Sequence, residues 1–329
     1  DALPILHMSL GLKELNLLTY MQGYGSSAGQ MVQYAAMAIA NGLARTVCCV
    51  FSDAPLQENK RSGAVSYTKP GQPDAMASLD TLYGFAGALP KYALAAQRHM
   101  DLFGTTQDHL GAVAIAQRRW AGMNPRASKR EPLDMAAYSA SPWVVEPFHV
   151  LDCCLVSNGS VAVIVTSAER ARDLKQPPVY LRGFAQAHNH DTGQAGHDSL
   201  IYTAAVQSAP RALAMADVTI RDINQCQIYD CYTYTVIATL EDYGFCEKGE
   251  GGPFVADGRL GPGGALPTNT GGGELSSFYM WGMTPISEAV IQGRGQGGER
   301  QAPNELIMVS GNGGLLAYHA TLVLSPQAA

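Results

Sequence analysis

Residues 22–42 read "QGYGSSAGQMVQYAAMAIANG". A Gly-rich tip leads into Ser26 and Ser27, then into a segment with an apolar face. Met31, Val32, Ala35, Ala36, Ile39 and Ala40 recur at the spacing of one side of a helix. The pattern predicts a helix from Ser27, capped by Ser26 or Ser27 and stopped by Gly42. A turn of this kind aims backbone N–H groups from a helix N-terminus, which favours negative charge. It is where a nucleophile is expected, yet the stretch holds no cysteine.

Working outward, the buried-strand reading "TVCCVFS" follows at 46–52. Helices are expected over 90–104 and 105–125, the second ended by Pro125. Residues 148–174 read as strand, turn at Asn158-Gly159, strand and short helix, and 177–188 as a further strand. The second half repeats this order. A strand "QCQIYDCY" (225–232) leads into a helix over 233–244, stopped by Gly244. A Gly-rich loop feeds a helix with Thr284 as cap and Pro285 as its first residue, and 305–325 reads strand, glycine turn, strand. Alternating elements with apolar strands predict an α/β protein with buried sheet. The expected halves are 1–210 and 211–329.

The chain has 329 residues, 47% hydrophobic and 15% charged, enough for a large core. Net charge is −6, and no basic run supports binding to nucleic acid or an anionic membrane. Apolar runs are too short to span a bilayer. The seven cysteines include adjacent pairs at 48–49 and 153–154, without metal-ligand spacing, and read as small buried hydrophobes of a reduced, cytoplasmic protein.

Four segments together resemble the thiolase superfamily: 25–44, "YDCYTYTVIATLEDYGFCEKGEGG" (229–252), "PTNTGGGELSSFYMWGMTPISEAVIQGRGQ" (267–296) and "VSGNGGLLAYHATLVLS" (309–325). The nearest branch is the lipid-transfer-protein or sterol-carrier-protein-X type. The resemblance implies a five-layered αβαβα fold of two similar halves, a homodimer, and a first strand–helix portion preceding residue 1. It also exposes departures. Gly25 stands at the place of the acylated cysteine, Tyr279 at that of the motif histidine, and Asn312 at that of the second cysteine. Without a thiolate, condensation through a cysteine thioester is not expected.

Thiolase-like aldolases that shorten steroid side chains share that loss. The resemblance therefore implies retro-aldol cleavage of a β-hydroxyacyl-CoA, with the enolate held by N–H groups at Gly25, Ser26, Asn312 and Gly313. Tyr279 is the first expected acid/base, Tyr318 the second; Asp230 is expected to orient and His319 to contact substrate. No cofactor or metal is expected in this chain beyond a CoA thioester substrate, and the family implies a small OB-fold, zinc-ribbon partner. His188 and His190 read as a solvated loop rather than a metal site. Two other readings stand: a serine acyltransferase or hydrolase at Ser26 or Ser27, and a non-catalytic acyl-CoA or lipid carrier or scaffold.

Overall fold

The structure, a computed structural model, describes residues 2–58, 82–85, 87–189 and 200–328. In chain order, helix α1 is Ala2–Ser9, α2 Ser27–Ala40, strand β1 Thr46–Asp53, α3 Leu89–Phe103, α4 Gln107–Gly122 and α5 Met135–Ser139. Then come β2 Trp143–Val145, β3 Phe148–His149, β4 Gly159–Thr166, α6 Ala168–Arg172 and β5 Tyr180–His188. The remainder is α7 Ala205–Ala216, β6 Gln225–Gln227, α8 Thr233–Tyr243, α9 Gly251–Ala256, α10 Met283–Gly293, β7 Ile307–Gly313 and β8 Tyr318–Ser325.

Strands β1 and β4 pair antiparallel, from Thr46↔Thr166 to Asp53↔Gly159, as a two-stranded sheet. A second sheet runs β5-β8-β7-β6, with β5–β8 and β8–β7 antiparallel and β7–β6 parallel. Helices α2 and α10 lie between the two sheets. Their Ala28, Val32, Ala35, Met283, Ile286 and Ala289 share one core with Cys49 of β1 and with Ile307, Val309, Leu322 and Leu324. Helices α7 and α8 cover the other face of the four-stranded sheet, in a larger core with Ala209, Val236, Ile237, Leu240, Met308 and Val323. This is the thiolase-like α/β layering, and it places the start of α2 against β7.

Local sequence explains the element ends, with several corrections. The helix stops are as expected: Gly104 and Gly244 are left-handed (φ 72° and 86°), a conformation that costs glycine least. Residues 46–52 do form a strand, but only one side is covered. Val47, Cys49 and Phe51 turn toward α2 and α10, while Cys48 and Ser52 are exposed. An apolar run does not reveal that its second face lacks a cover. Helix α10 begins at Met283 behind Gly282, two residues before the expected Pro285, and the Thr284 Oγ accepts the Met280 N–H at 2.9 Å. Residues 153–154 form no strand, only a bridge from Cys153 to Tyr232, and β6 is three residues rather than eight. Strand β5, before the expected division at residue 210, pairs with β8 and so belongs to the C-terminal sheet.

Candidate active site

The elbow before α2 is a short 3-10 turn, Tyr24–Ser26, whose Tyr24 has φ 52°. Ser26 takes the expected N-cap position, but its side chain makes no capping hydrogen bond. Ser26 Oγ donates to the Gly23 carbonyl at 2.6 Å and accepts from Gln30 at 2.8 Å, while Ser27 Oγ accepts the Gly23 N–H at 2.7 Å. These bonds close the turn on itself. They also give the Ser26 proton to a carbonyl rather than to a base, which is no arrangement for a nucleophile.

Gly25 is required by what surrounds it. A Cβ there would lie 2.2 Å from the Asn312 carbonyl oxygen and 2.3 Å from Cζ of Tyr229. The space a cysteine side chain would need is therefore occupied by a phenol ring. Tyr229 follows β6 directly, its N–H held by Ser310 Oγ at 3.0 Å, and it is 4% exposed. Its hydroxyl lies 2.9 Å from that of Tyr279. The Tyr279 N–H in turn donates to Ser157 Oγ at 3.0 Å.

Two hydroxyls thus meet next to the elbow, each able to donate and to accept. Burial drives both phenols well above the ordinary value of 10. For Tyr279 the neighbouring Cys154, Glu274 and Cys231 push in the same direction, and the bond to Tyr229 opposes them. Both tyrosines are neutral at physiological pH, so neither rests as a phenolate base. For Tyr279 burial dominates, and the groups crowding it are acids and thiols.

Asp230 sits one residue on, fully buried. Its carboxyl accepts the Glu274 N–H at 2.9 Å and the Leu275 N–H at 3.1 Å. Burial raises its pKa to about 7 against the pull of those N–H groups. Gln117 lies close enough to favour the ionised form, though neither of its amide atoms makes a hydrogen bond of normal geometry. Asp230 holds the single π-helical turn Gly273–Ser277, a deviation frequent at functional sites. A cavity of about 320 Å³ opens beside Asp230, lined also by Asn124, Asn269, Ser277 and Thr284, with neither tyrosine in its wall.

The other expected residues fall elsewhere. Gly311, Asn312 and Gly313 belong to β7 rather than to a turn. Strand alternation splits them: Gly311 and Gly313 press on the elbow, and a Cβ on Gly313 would be 2.4 Å from the Gly23 carbonyl. Asn312 turns its side chain to the opposite face, where it is buried with both polar atoms unpartnered, and meets Gly25 through its carbonyl instead. His319 pairs across from Asn312 and shares that face; its Nε2 lies 3.0 Å from the Tyr243 hydroxyl. Burial lowers its pKa to about 3, so it is neutral and packs edge-on against the Tyr243 ring. Tyr318 starts β8 and stacks on Tyr24 with ring centres 6.1 Å apart. His188 ends β5 exposed rather than lying in a loop, and His190 lies outside the described residues. No cluster of three metal-ligating side chains occurs among the described residues, and no described helix is long and apolar enough to cross a membrane.

Comparison with known proteins agrees with this fold. Residues 185–326 match the family described as "Thiolase C-terminal domain-like". The chain is 35% identical to the steroid side-chain-cleaving aldolase of Thermomonospora curvata, over 87% of this chain and 75% of that protein. It is 34% identical to the 17-hydroxy-3-oxo-4-pregnene-20-carboxyl-CoA lyase of Mycobacterium tuberculosis, over 93% and 81%. The solved Ltp2-ChsH2(DUF35) aldolase superposes with a TM-score of 0.87 and 32% identity, over 97% of this chain and 82% of that one.

Proposed function

The chain belongs to the thiolase superfamily, in the branch that holds the steroid side-chain-cleaving aldolases, and from that premise we propose that it is the thiolase-like subunit of a retro-aldol lyase. Its substrate is a β-hydroxyacyl-CoA thioester with a steroid side chain, and its products are a ketone or aldehyde and a short acyl-CoA, propionyl-CoA or acetyl-CoA. The observation that carries this reading is Tyr229. Its ring fills the space a nucleophilic side chain would need at Gly25, and its hydroxyl pairs with Tyr279 at 2.9 Å.

Retro-aldol cleavage moves one proton from the β-hydroxyl to Cα. One phenol oxygen takes the hydroxyl proton as its own proton passes to the other. The Cβ–O bond becomes a carbonyl, the Cα–Cβ pair flows into the thioester as an enolate, and a proton reaches Cα. The pair ends as it began, so its neutral resting state suits a relay better than a phenolate base. The Ser26 N–H is bonded to the Gly23 carbonyl at 3.1 Å, which leaves the Gly25 N–H, at the positive end of α2, as the elbow's donor to the enolate oxygen. Asp230 orients the turn Gly273–Ser277, and Tyr279 follows that turn by two residues. No covalent acyl-enzyme forms.

A small OB-fold, zinc-ribbon subunit completes the complex, and the chain itself forms a homodimer. The first of these rests on the two-component aldolase to which the chain is structurally similar. The test is incubation of the chain and such a partner with a steroid β-hydroxyacyl-CoA. Release of a short acyl-CoA is expected. A stable acyl adduct on Ser26 or Ser27, or no cleavage by a folded complex, contradicts the reading.

A further inference from the structure

Glu274 is fully buried, and neither of its carboxyl oxygens has a hydrogen-bond partner. Such an arrangement is unfavourable unless something enters to satisfy it. Its place is fixed from both sides. The Glu274 N–H is held by Asp230 at 2.9 Å, and its carbonyl accepts the Leu155 N–H at 2.9 Å. The same short segment joins the rest of the site. Cys154 N–H donates to the Cys231 carbonyl at 2.9 Å, and Ser157 Oγ accepts the Tyr279 N–H at 3.0 Å. Residues 154–157 therefore stitch Cys231, Glu274 and Tyr279 into one wall.

We propose that Glu274 is a further catalytic residue, the carboxylic acid that hands the proton to Cα of the thioester enolate. This rests on the retro-aldol reading and deepens it. In the step, the Glu274 O–H bond breaks and the Cα–H bond forms. The proton that leaves the β-hydroxyl balances the one spent at Cα, so the cycle closes with no net uptake or release of protons. The titratable groups around it are Asp230, Tyr229, Tyr279, Cys154 and Cys231. None is a cation. Burial and the nearby Asp230 raise the Glu274 pKa well above the ordinary 4.5, so the site favours the protonated acid. A carboxyl kept neutral by its site is a known way to supply a donor near an enolate.

The experiment uses the chain with its partner subunit in D₂O. It follows both cleavage of the β-hydroxyacyl-CoA and deuterium entry at Cα of the short acyl-CoA product supplied together with the ketone or aldehyde. Glu274→Gln keeps shape and neutrality but carries no acidic proton. It is expected to lower both rates by about 100-fold while acyl-CoA binding stays within about 2-fold. Glu274→Asp, with the acid withdrawn by one methylene, serves if the Gln variant fails to fold, and is expected to slow both rates as well. Exchange at the wild-type rate in either folded variant overturns the proposal. Absence of cleavage by the wild type, with exchange intact and Glu274-dependent, overturns instead the retro-aldol reading.

Discussion

Strands β1–β4 and β7–β8 are two versions of one unit, an antiparallel pair laid against α2 and α10. They differ in what flanks them. The β7–β8 pair has β5 and β6 at its edges and helices α7 and α8 on its far face, and nearly every residue of it is buried. The β1–β4 pair has neither among the described residues, and residues such as Ile164 are 56% exposed. The covered unit carries the chemistry. It supplies Ser310, which holds Tyr229, and the glycines that let the elbow approach. Rigid surroundings on all sides allow two buried hydroxyls to be held at hydrogen-bond distance.

The strongest break of that comparison is at the contact of α2 with β7. Gly25→Ala forces a methyl into backbone and ring atoms that have no room to retreat. It is expected to cost about 2–3 kcal/mol of stability and to abolish measurable cleavage, read by denaturant melts and acyl-CoA release. Next come matched truncations. Leu322→Ala in β8, 1% exposed, is expected to destabilise by about 2–5 kcal/mol. Ile164→Ala in β4 should change stability by less than about 0.5 kcal/mol. Equal losses would refute the contrast between the sheets.

His319 offers a sharper probe of the covered sheet. Its folded pKa of about 3 lies below the unfolded value near 6.5, so the neutral form is favoured in the fold. Its contribution is fully present above pH 6.5 and is lost as pH falls toward 3. His319→Gln should therefore flatten the acid side of the stability profile relative to wild type, by up to about 4 kcal/mol. The smallest effect is a labelling difference. Exposed Cys48 of β1 should react with a thiol reagent in the native protein, whereas buried Cys226 of β6 should not.

Much of the fold was legible in the sequence because helix periodicity and glycine stops act locally. The elbow, α2, α8 and the β7–β8 pair all carry such signals. Tyr279 stood out through its place in the motif after the Gly-rich loop. Tyr229 did not, although it begins the quoted string "YDCY". Asp230 drew attention there because a carboxylate has an obvious role, while a tyrosine at a strand end resembles packing. Only the collision between Gly25 and the Tyr229 ring, 204 positions apart in sequence (229 − 25), assigns it to the site. Asn312 and His319 show a related limit: the expected glycine turn at 311–314 begins as the end of strand β7, and a one-residue step along a strand reverses the face. The exposed side of β1 left no local trace either, since strand propensity does not record which face finds a partner.

The central claim is that the paired hydroxyls of Tyr229 and Tyr279 move the proton that cleaves the carbon–carbon bond. Its most direct test is turnover of a steroid β-hydroxyacyl-CoA by Tyr279→Phe and Tyr229→Phe, each with the partner subunit and with acyl-CoA affinity measured in parallel. Each variant removes one oxygen and leaves the ring in place. A loss of kcat of about 100-fold or more in both, with affinity retained, is the result expected. Wild-type turnover in either would contradict the account.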